Sequence, residues 1–191
     1  MKVILASASP RRQELMGHFP FAYTVAAADI DETMDLSKPV KDEVARLSCE
    51  KAKAVPHGFA DLVIGADTVV VCGDEVLGKP KNQEDAFRML RLLSGRTHQV
   101  MTGLCLLHKG QCITCTEVTD ITFRPLTDSE ILAYIRTGEP MDKAGAYGIQ
   151  GGGALFAETL TGDYYNVVGL PVCRLACLLR QTVPELMEEF L

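Results

Sequence analysis

One carboxylate interrupts an apolar run in this chain: Leu62-Val-Ile-Gly-Ala-Asp67-Thr-Val-Val-Val-Cys72. The run reads as a buried β-strand, and burying an ionised carboxylate without a partner costs several kcal/mol, roughly. Asp67 therefore needs a cation, a metal or access to water; a structural aspartate held by backbone N–H groups is the alternative. Gly65, two residues earlier on the same face, leaves room beside it. Gly73-Asp74 then forms a two-residue hairpin turn, which pairs Cys72 with Glu75, Val70 with Leu77 and Thr68 with Lys79. An acid, a hydroxyl and an ammonium gathered at one strand end suit metal-assisted attack on phosphorus.

Ser7-Ala-Ser-Pro-Arg-Arg12 carries a second charge oddity. Ser9 suits an N-cap and Pro10 the first helical position. Arg11 and Arg12 then fall in the first turn, where the helix macrodipole disfavours cations. A bound phosphate would reverse that penalty, gripped by backbone N–H groups, the hydroxyls of Ser7 and Ser9 and the guanidinium forks. An exposed basic helix start is the plainer reading. The GxxxxGK[ST] pattern is missing, so this is not a Walker loop.

Asp29, Asp31, Glu32 and Asp35 form an acidic run that is either a solvated loop or, folded over the first loop, a source of one metal-holding carboxylate. The helix after it carries Val44, Leu47, Lys51 and Val55 on one stripe, at about 100° per residue. Lys51 thus lies on the apolar face, where it either snorkels to the rim or pairs with phosphate or carboxylate.

The elements that must position these groups are read as follows. Strands are expected at Val3–Ala6, Leu62–Cys72, Glu75–Leu77, Thr97–Leu107, Cys112–Phe123 and Ala154–Glu158. Helices are expected at Arg11–His18, Lys41–Val55 and from Asn82 to Leu93, and again after the capping box Thr127-Asp-Ser-Glu130. A glycine-rich segment, Gly145–Gly153, a turn at Gly162-Asp163 and helical material after Pro171 complete the chain. The fold class is α/β, a mixed sheet with flanking helices. Arg96 and His98 read as a structural strand start or as substrate contacts; Tyr147 stacks on a base or packs.

The 191 residues suffice for one domain, or for two small lobes sharing a cleft. A net charge of −6 argues against wrapping a polymeric nucleic acid, so a small anion would be held by local cations. No apolar run is long enough to span a membrane or form a signal-peptide core. Seven cysteines, an odd count without a framework, indicate a reduced cytoplasmic setting. Cys112 and Cys115 form a CxxC within a β-like run, where the two point to opposite faces. The cysteines accordingly read as small buried apolar residues rather than as a structural zinc site.

Seven ordered motifs resemble the Maf family of nucleotide pyrophosphatases: Leu5-Ala-Ser-Ala-Ser-Pro-Arg-Arg-Gln-Glu-Leu15, Glu50-Lys-Ala52, Gly65-Ala-Asp-Thr-Val69, Gly78-Lys-Pro80, Ser94-Gly-Arg-Thr-His-Gln-Val100, Asp142-Lys-Ala-Gly-Ala-Tyr-Gly-Ile-Gln-Gly151 and Asn166-Val-Val-Gly-Leu-Pro171. Asp31-Glu32 and Gly151–Gly153 depart from the family's usual wording. The resemblance implies a single Maf-like domain over residues 1–191, elongated, similar to inosine-triphosphate pyrophosphatases, with two lobes around a cleft. It further implies Mg²⁺ or Mn²⁺ dependence, a homodimer and a role in nucleotide-pool cleaning or restraint of division. Arg11, Thr68 and Gln150 look like the subgroup acting on dTTP and UTP, which it hydrolyses to monophosphate and pyrophosphate. The alternatives are the N7-methyl-GTP subgroup and a non-catalytic nucleotide-binding regulator of septum formation. On this reading Asp67, Lys51 and Lys79 are catalytic, and Glu32 and Asp67 hold the metal. Ser7, Ser9, Arg11 and Arg12 bind phosphates, while Thr68 and Gln150 meet the base.

Overall fold

The computed structural model describes residues 1–188. The elements, in chain order, are β1 (Val3–Leu5), α1 (Pro10–Met16), β2 (Thr24–Val25), α2 (Val40–Ala54), β3 (Leu62–Cys72), β4 (Glu75–Leu77), α3 (Gln83–Leu93), β5 (Thr97–His108), β6 (Gln111–Phe123), α4 (Asp128–Arg136), β7 (Ala157–Thr161), α5 (Tyr164–Val168) and α6 (Val172–Thr182). The sheet has seven strands in the order β2-β1-β3-β5-β6-β7, with β4 paired to β3. β1 runs parallel to β2 and β3, whereas β3–β4 and β6–β7 are antiparallel. This is the mixed α/β architecture expected from the sequence. No helix among the described residues is long and apolar enough to cross a membrane.

The chain divides into two compact units. The first comprises Met1–Asp67, Thr102–Glu117 and the residues from Gly169 onward; the second comprises Thr68–Met101 and Val118–Val168.

In the first unit, α2 packs unusually close to the strands. A Cβ on Gly65 would lie 2.1 Å from the Ser48 carbonyl oxygen, and one on Gly103 would lie 2.3 Å from that of Val44. Only glycine tolerates such an approach, because the helix backbone occupies the space a side chain would need. The room foreseen beside Asp67 is thus filled by the helix that carries Lys51. Val44, Leu47 and Val55 are buried along the expected stripe, and Ile4, Ala6, Ala52 and Val63 complete a core with Cys49 and Cys105.

In the second unit, α3 and α4 cover a core that includes Val70, Leu90, Ile121, Phe123, Ile131 and Tyr147. Both helix starts were legible. Asn82 caps α3 by accepting from the Asp85 N–H, and Thr127 and Glu130 form a reciprocal capping box at α4. The β3–β4 register is the expected one, Cys72 with Glu75 and Val70 with Leu77. Gly73 supplies the positive φ, 59°, that the turn needs.

Two expectations are corrected and one helix is added. The strand expected at Ala154–Glu158 starts only at Ala157, because Gly152–Leu155 curls into a 3₁₀ turn. Gly153 packs so tightly on the Gly148 backbone (a Cβ would fall 2.7 Å from its carbonyl oxygen) that the chain turns back instead of extending. The expected turn at Gly162-Asp163 leads into a short helix not foreseen from the sequence, α5, which starts where the Asp163 carboxylate accepts from the Tyr165 N–H at 2.8 Å. Nor are the cysteines uniformly buried, as Cys112, Cys173 and Cys177 are exposed.

Candidate active site

Asp67 ends the first segment of the first unit, and it is buried with its charge matched. Lys51 Nζ donates to Asp67 Oδ1 at 2.6 Å, and both side chains are 10% exposed. The same ammonium sits 2.7 Å from Glu32 Oε1. Lys51 therefore does not snorkel to the rim; it links the buried aspartate to an acid from the loop. Ser48, one turn earlier on α2, is the residue seated on Gly65, so the glycine contact also sets how far Lys51 reaches.

The acidic run separates by function. Asp31 Oδ1 accepts from the Thr33 hydroxyl and N–H, and Asp35 Oδ1 does the same for Ser37, which are local turns of the chain. Their carboxyls are held below the usual range by those bonds, hydroxyl first. Glu32 alone among these residues forms the ion pair to Lys51.

The first loop supplies further cations. The Ser9 hydroxyl caps α1, with Pro10 at its first position, and the Ser9 N–H donates to Ser7 Oγ at 3.3 Å. Arg12 is fixed by two bonds, Nε to the Gly169 carbonyl at 2.8 Å and Nη1 to Ser7 Oγ at 3.2 Å. Burial draws the Arg12 pKa below its ordinary value, Asp67 and Glu32 pull it up, and Arg11 pulls it down. Those influences place Arg12 within electrostatic reach of the acid pair, with Arg11 beside Arg12.

The donor set fits a hard divalent cation. Asp67 and Glu32 converge on one ammonium, so their carboxylate oxygens lie close together, and one or two carboxylates plus substrate phosphates are what Mg²⁺ commonly takes from a protein.

The other sequence candidates lie in the second unit. Thr68 follows Asp67 on β3 and is half-buried. Lys79 is exposed and lies beyond the β3–β4 ladder, which ends at Val70–Leu77, so the expected Thr68–Lys79 pair does not form part of it. The neighbouring Gly78 carbonyl instead accepts from the Gly145 N–H at 3.0 Å, which ties the glycine-rich loop to the end of β4.

That loop is built around Glu139, a residue the sequence reading passed over as part of a helix stop. Tyr134 Oη donates to Glu139 Oε1 at 2.8 Å, Gly152 N–H donates to Oε2 at 3.0 Å, and Gly148 N–H donates to Tyr134 Oη at 3.0 Å. A Cβ at Gly151 would come within 2.3 Å of the Glu139 carboxylate. The glycines are therefore a fit to a half-buried anchor, and Gln150 is exposed on the loop. An acid between Gly138 and Pro140, one turn beyond Tyr134, was the available signal.

His98 and Tyr147 are resolved as packing groups. Both are buried, with His98 Nε2 2.8 Å from Tyr147 Oη and each ring edge-on to Phe123. Burial pushes the His98 pKa down to about 4, against the opposing pull of Asp120. In the unfolded chain a histidine titrates near about 6.5. The unfolded state thus binds the proton first, and stability present above about pH 6.5 is lost as pH falls towards about 4. Between pH 7.5 and 5 the loss from this one group is about 2 kcal/mol. Urea denaturation at the two pH values should show that loss in the native chain and most of it removed in His98→Gln. Equal losses in both proteins would contradict the assignment.

Fold and site together define an α/β protein with a buried acid–ammonium pair and Arg12 in electrostatic reach of it. The chain belongs to the Maf-like protein family, whose model matches residues 2–182. It is 51% identical to the dTTP/UTP pyrophosphatase of Thermococcus onnurineus (strain NA1) over 170 residues, 89% of this chain and 92% of that protein. It is 45% identical to the dTTP/UTP pyrophosphatase of Bacillus cereus (strain G9842) over 181 residues, 94% and 95% of the two chains. Among solved structures, the Staphylococcus aureus Ham1 protein is similar at a TM-score of 0.41 and 16% identity, over 64% of this chain and 72% of that one. The α/β assignment rests on the strand pairing of the chain itself.

Proposed function

We propose that this chain hydrolyses dTTP and UTP to the monophosphate and pyrophosphate, with Asp67 as the catalytic carboxylate. The observation that carries the reading is the Lys51 ammonium clamped between Asp67 and Glu32, with Arg12 in electrostatic reach. The substrate class is supported by the names its relatives bear over nine-tenths or so of the chain.

Asp67 and Glu32 would hold a divalent cation, Mg²⁺ or Mn²⁺, which supplies charge neutralisation and Lewis-acid polarisation of the phosphates. Asp67 orients a water and takes its proton as the oxygen attacks the α-phosphorus. The bond to the bridging oxygen breaks, and pyrophosphate leaves with the pair of electrons. Lys51, held by both acids, can swing its charge from carboxylate to phosphate without leaving the site. Arg11, Arg12 and Lys79 neutralise the phosphates, and Ser7 and Ser9 add hydroxyl donors. Positioning and electrostatics do most of the work, as is general for phosphoryl transfer.

Thr68 and Gln150 recognise the base. A glutamine amide offers one donor face and one acceptor face, which matches the O4 and N3–H edge of uracil and thymine. Gln150→Glu replaces the donor with a second acceptor that carries charge. The kcat/KM for UTP and dTTP should then fall about 10- to 100-fold relative to the other triphosphates, the scale of a lost bond to a polar group. An unchanged substrate ranking would remove Gln150 from base selection.

A panel of common triphosphates and N7-methyl-GTP, assayed with Mg²⁺ and Mn²⁺, tests the whole reading. Pyrophosphate release from UTP and dTTP is expected. Inorganic phosphate as product, preference for N7-methyl-GTP, or binding without turnover would each overturn it.

A further inference from the structure

The first unit holds a second group of ligand-type side chains, away from the carboxylates. The Sγ atoms of Cys49 on α2, Cys105 on β5 and Cys112 on β6 all lie within 4.8 Å of one another. Cys49 Sγ and Cys112 Sγ are 2.8 Å apart. That separation is too long for a disulfide bond, which is about 2.05 Å, and all three residues are free thiols. The trio is assembled from residues far apart in sequence, by the same α2 packing that presents Lys51.

Three sulfurs around one ion, at metal–sulfur distances of about 2.3 Å, sit about 4 Å apart. All three sulfurs lie within 4.8 Å of one another, so the set forms once the Cys49 and Cys112 side chains, 2.8 Å apart, rotate away from each other to admit the ion. Cys105 is fully buried at the base, while Cys112 is exposed and leaves a path for an ion to enter. Cys115, the other half of the CxxC, is not part of the group.

We propose that Cys49, Cys105 and Cys112 form a three-thiolate site for a soft, thiophilic metal ion, and that Cu(I) is the ion it fits best. Thiolates select soft ions, and zinc sites built on sulfur are normally closed by four ligands, whereas this group offers three. Each thiol gives up its proton to solvent as its bond to the ion forms, so three protons leave per Cu(I) bound and the oxidation state does not change. The resulting anionic centre has a counter-charge at hand, since Lys53 lies one turn beyond Cys49 and is within electrostatic reach of Cys49 and Cys112.

The test is an anaerobic titration of the reduced, metal-free full chain with Cu(I) supplied as its acetonitrile complex. Thiolate-to-copper absorption in the ultraviolet should rise linearly and stop at one equivalent, with proton release in parallel. Cys112→Ser, at an exposed position, and Cys49→Ser should each abolish that first equivalent, and Cys115→Ser should keep it. Absorption that does not break at one equivalent, or that survives Cys112→Ser, would overturn the proposal. So would tighter binding of Zn(II) than of Cu(I) at these cysteines.

Discussion

Asp67→Asn should lower the rate of pyrophosphate release from saturating UTP or dTTP by at least about a hundredfold, the scale of one catalytic base. Asparagine keeps the shape of the side chain, so the β3 strand and the seat of α2 on Gly65 are undisturbed. What changes is chemistry: the amide can neither take a proton from water nor act as an anionic ligand. Lys51 keeps Glu32 as its partner at 2.7 Å, so the cluster does not lose its only anion. The variant should therefore remain folded, with a kcat defect larger than any change in KM. Near-normal turnover would remove Asp67 from the chemistry and return it to the role of a structural acid.

Lys51→Met is the second large effect, and it acts on stability as well as rate. Removing the ammonium leaves Asp67, whose side chain is 10% exposed, without its 2.6 Å partner. Breaking a buried pair from one side typically costs about 3–5 kcal/mol, and the nearby Arg12 charge puts the expectation at the lower end, about 3 kcal/mol. Glu32, 55% exposed, contributes little to that figure because solvent screens it. The double variant Lys51→Met/Asp67→Asn should be more stable than Lys51→Met alone, since it no longer buries an unmatched charge. Urea denaturation of the four proteins measures the coupling. Strictly additive effects would show that the two side chains do not depend on each other. Catalytically, loss of a charged phosphate contact should cost kcat/KM about 10- to 100-fold.

Local rules made much of this arrangement readable in advance. A continuous apolar run with one acid in it identified β3, a two-residue turn fixed the Val70–Leu77 register, and a lysine on an apolar stripe marked Lys51. Each rests on residues a few positions apart. Features that depend on distant segments were not readable. The acid between Gly138 and Pro140 was a signal, but its role as anchor of the Gln150 loop appears only when Tyr134 and Gly152 meet it. Likewise Arg11 and Arg12 looked equivalent until Gly169 and Ser7 were found to hold Arg12. The three grouped thiols come from a helix and two strands, so no local spacing, the Cys112–Cys115 CxxC included, reveals them. The strand expected at Ala154–Glu158 was displaced because contact with Gly148, not propensity, decides the path of Gly151–Gly153.

The central claim, that a water activated at Asp67 attacks the α-phosphorus, is tested most directly by running one turnover of UTP or dTTP in ¹⁸O-labelled water and weighing the products. The label is expected in the nucleoside monophosphate, with unlabelled pyrophosphate. Label in the pyrophosphate, or in released inorganic phosphate, would place the attack on another phosphorus and contradict the account.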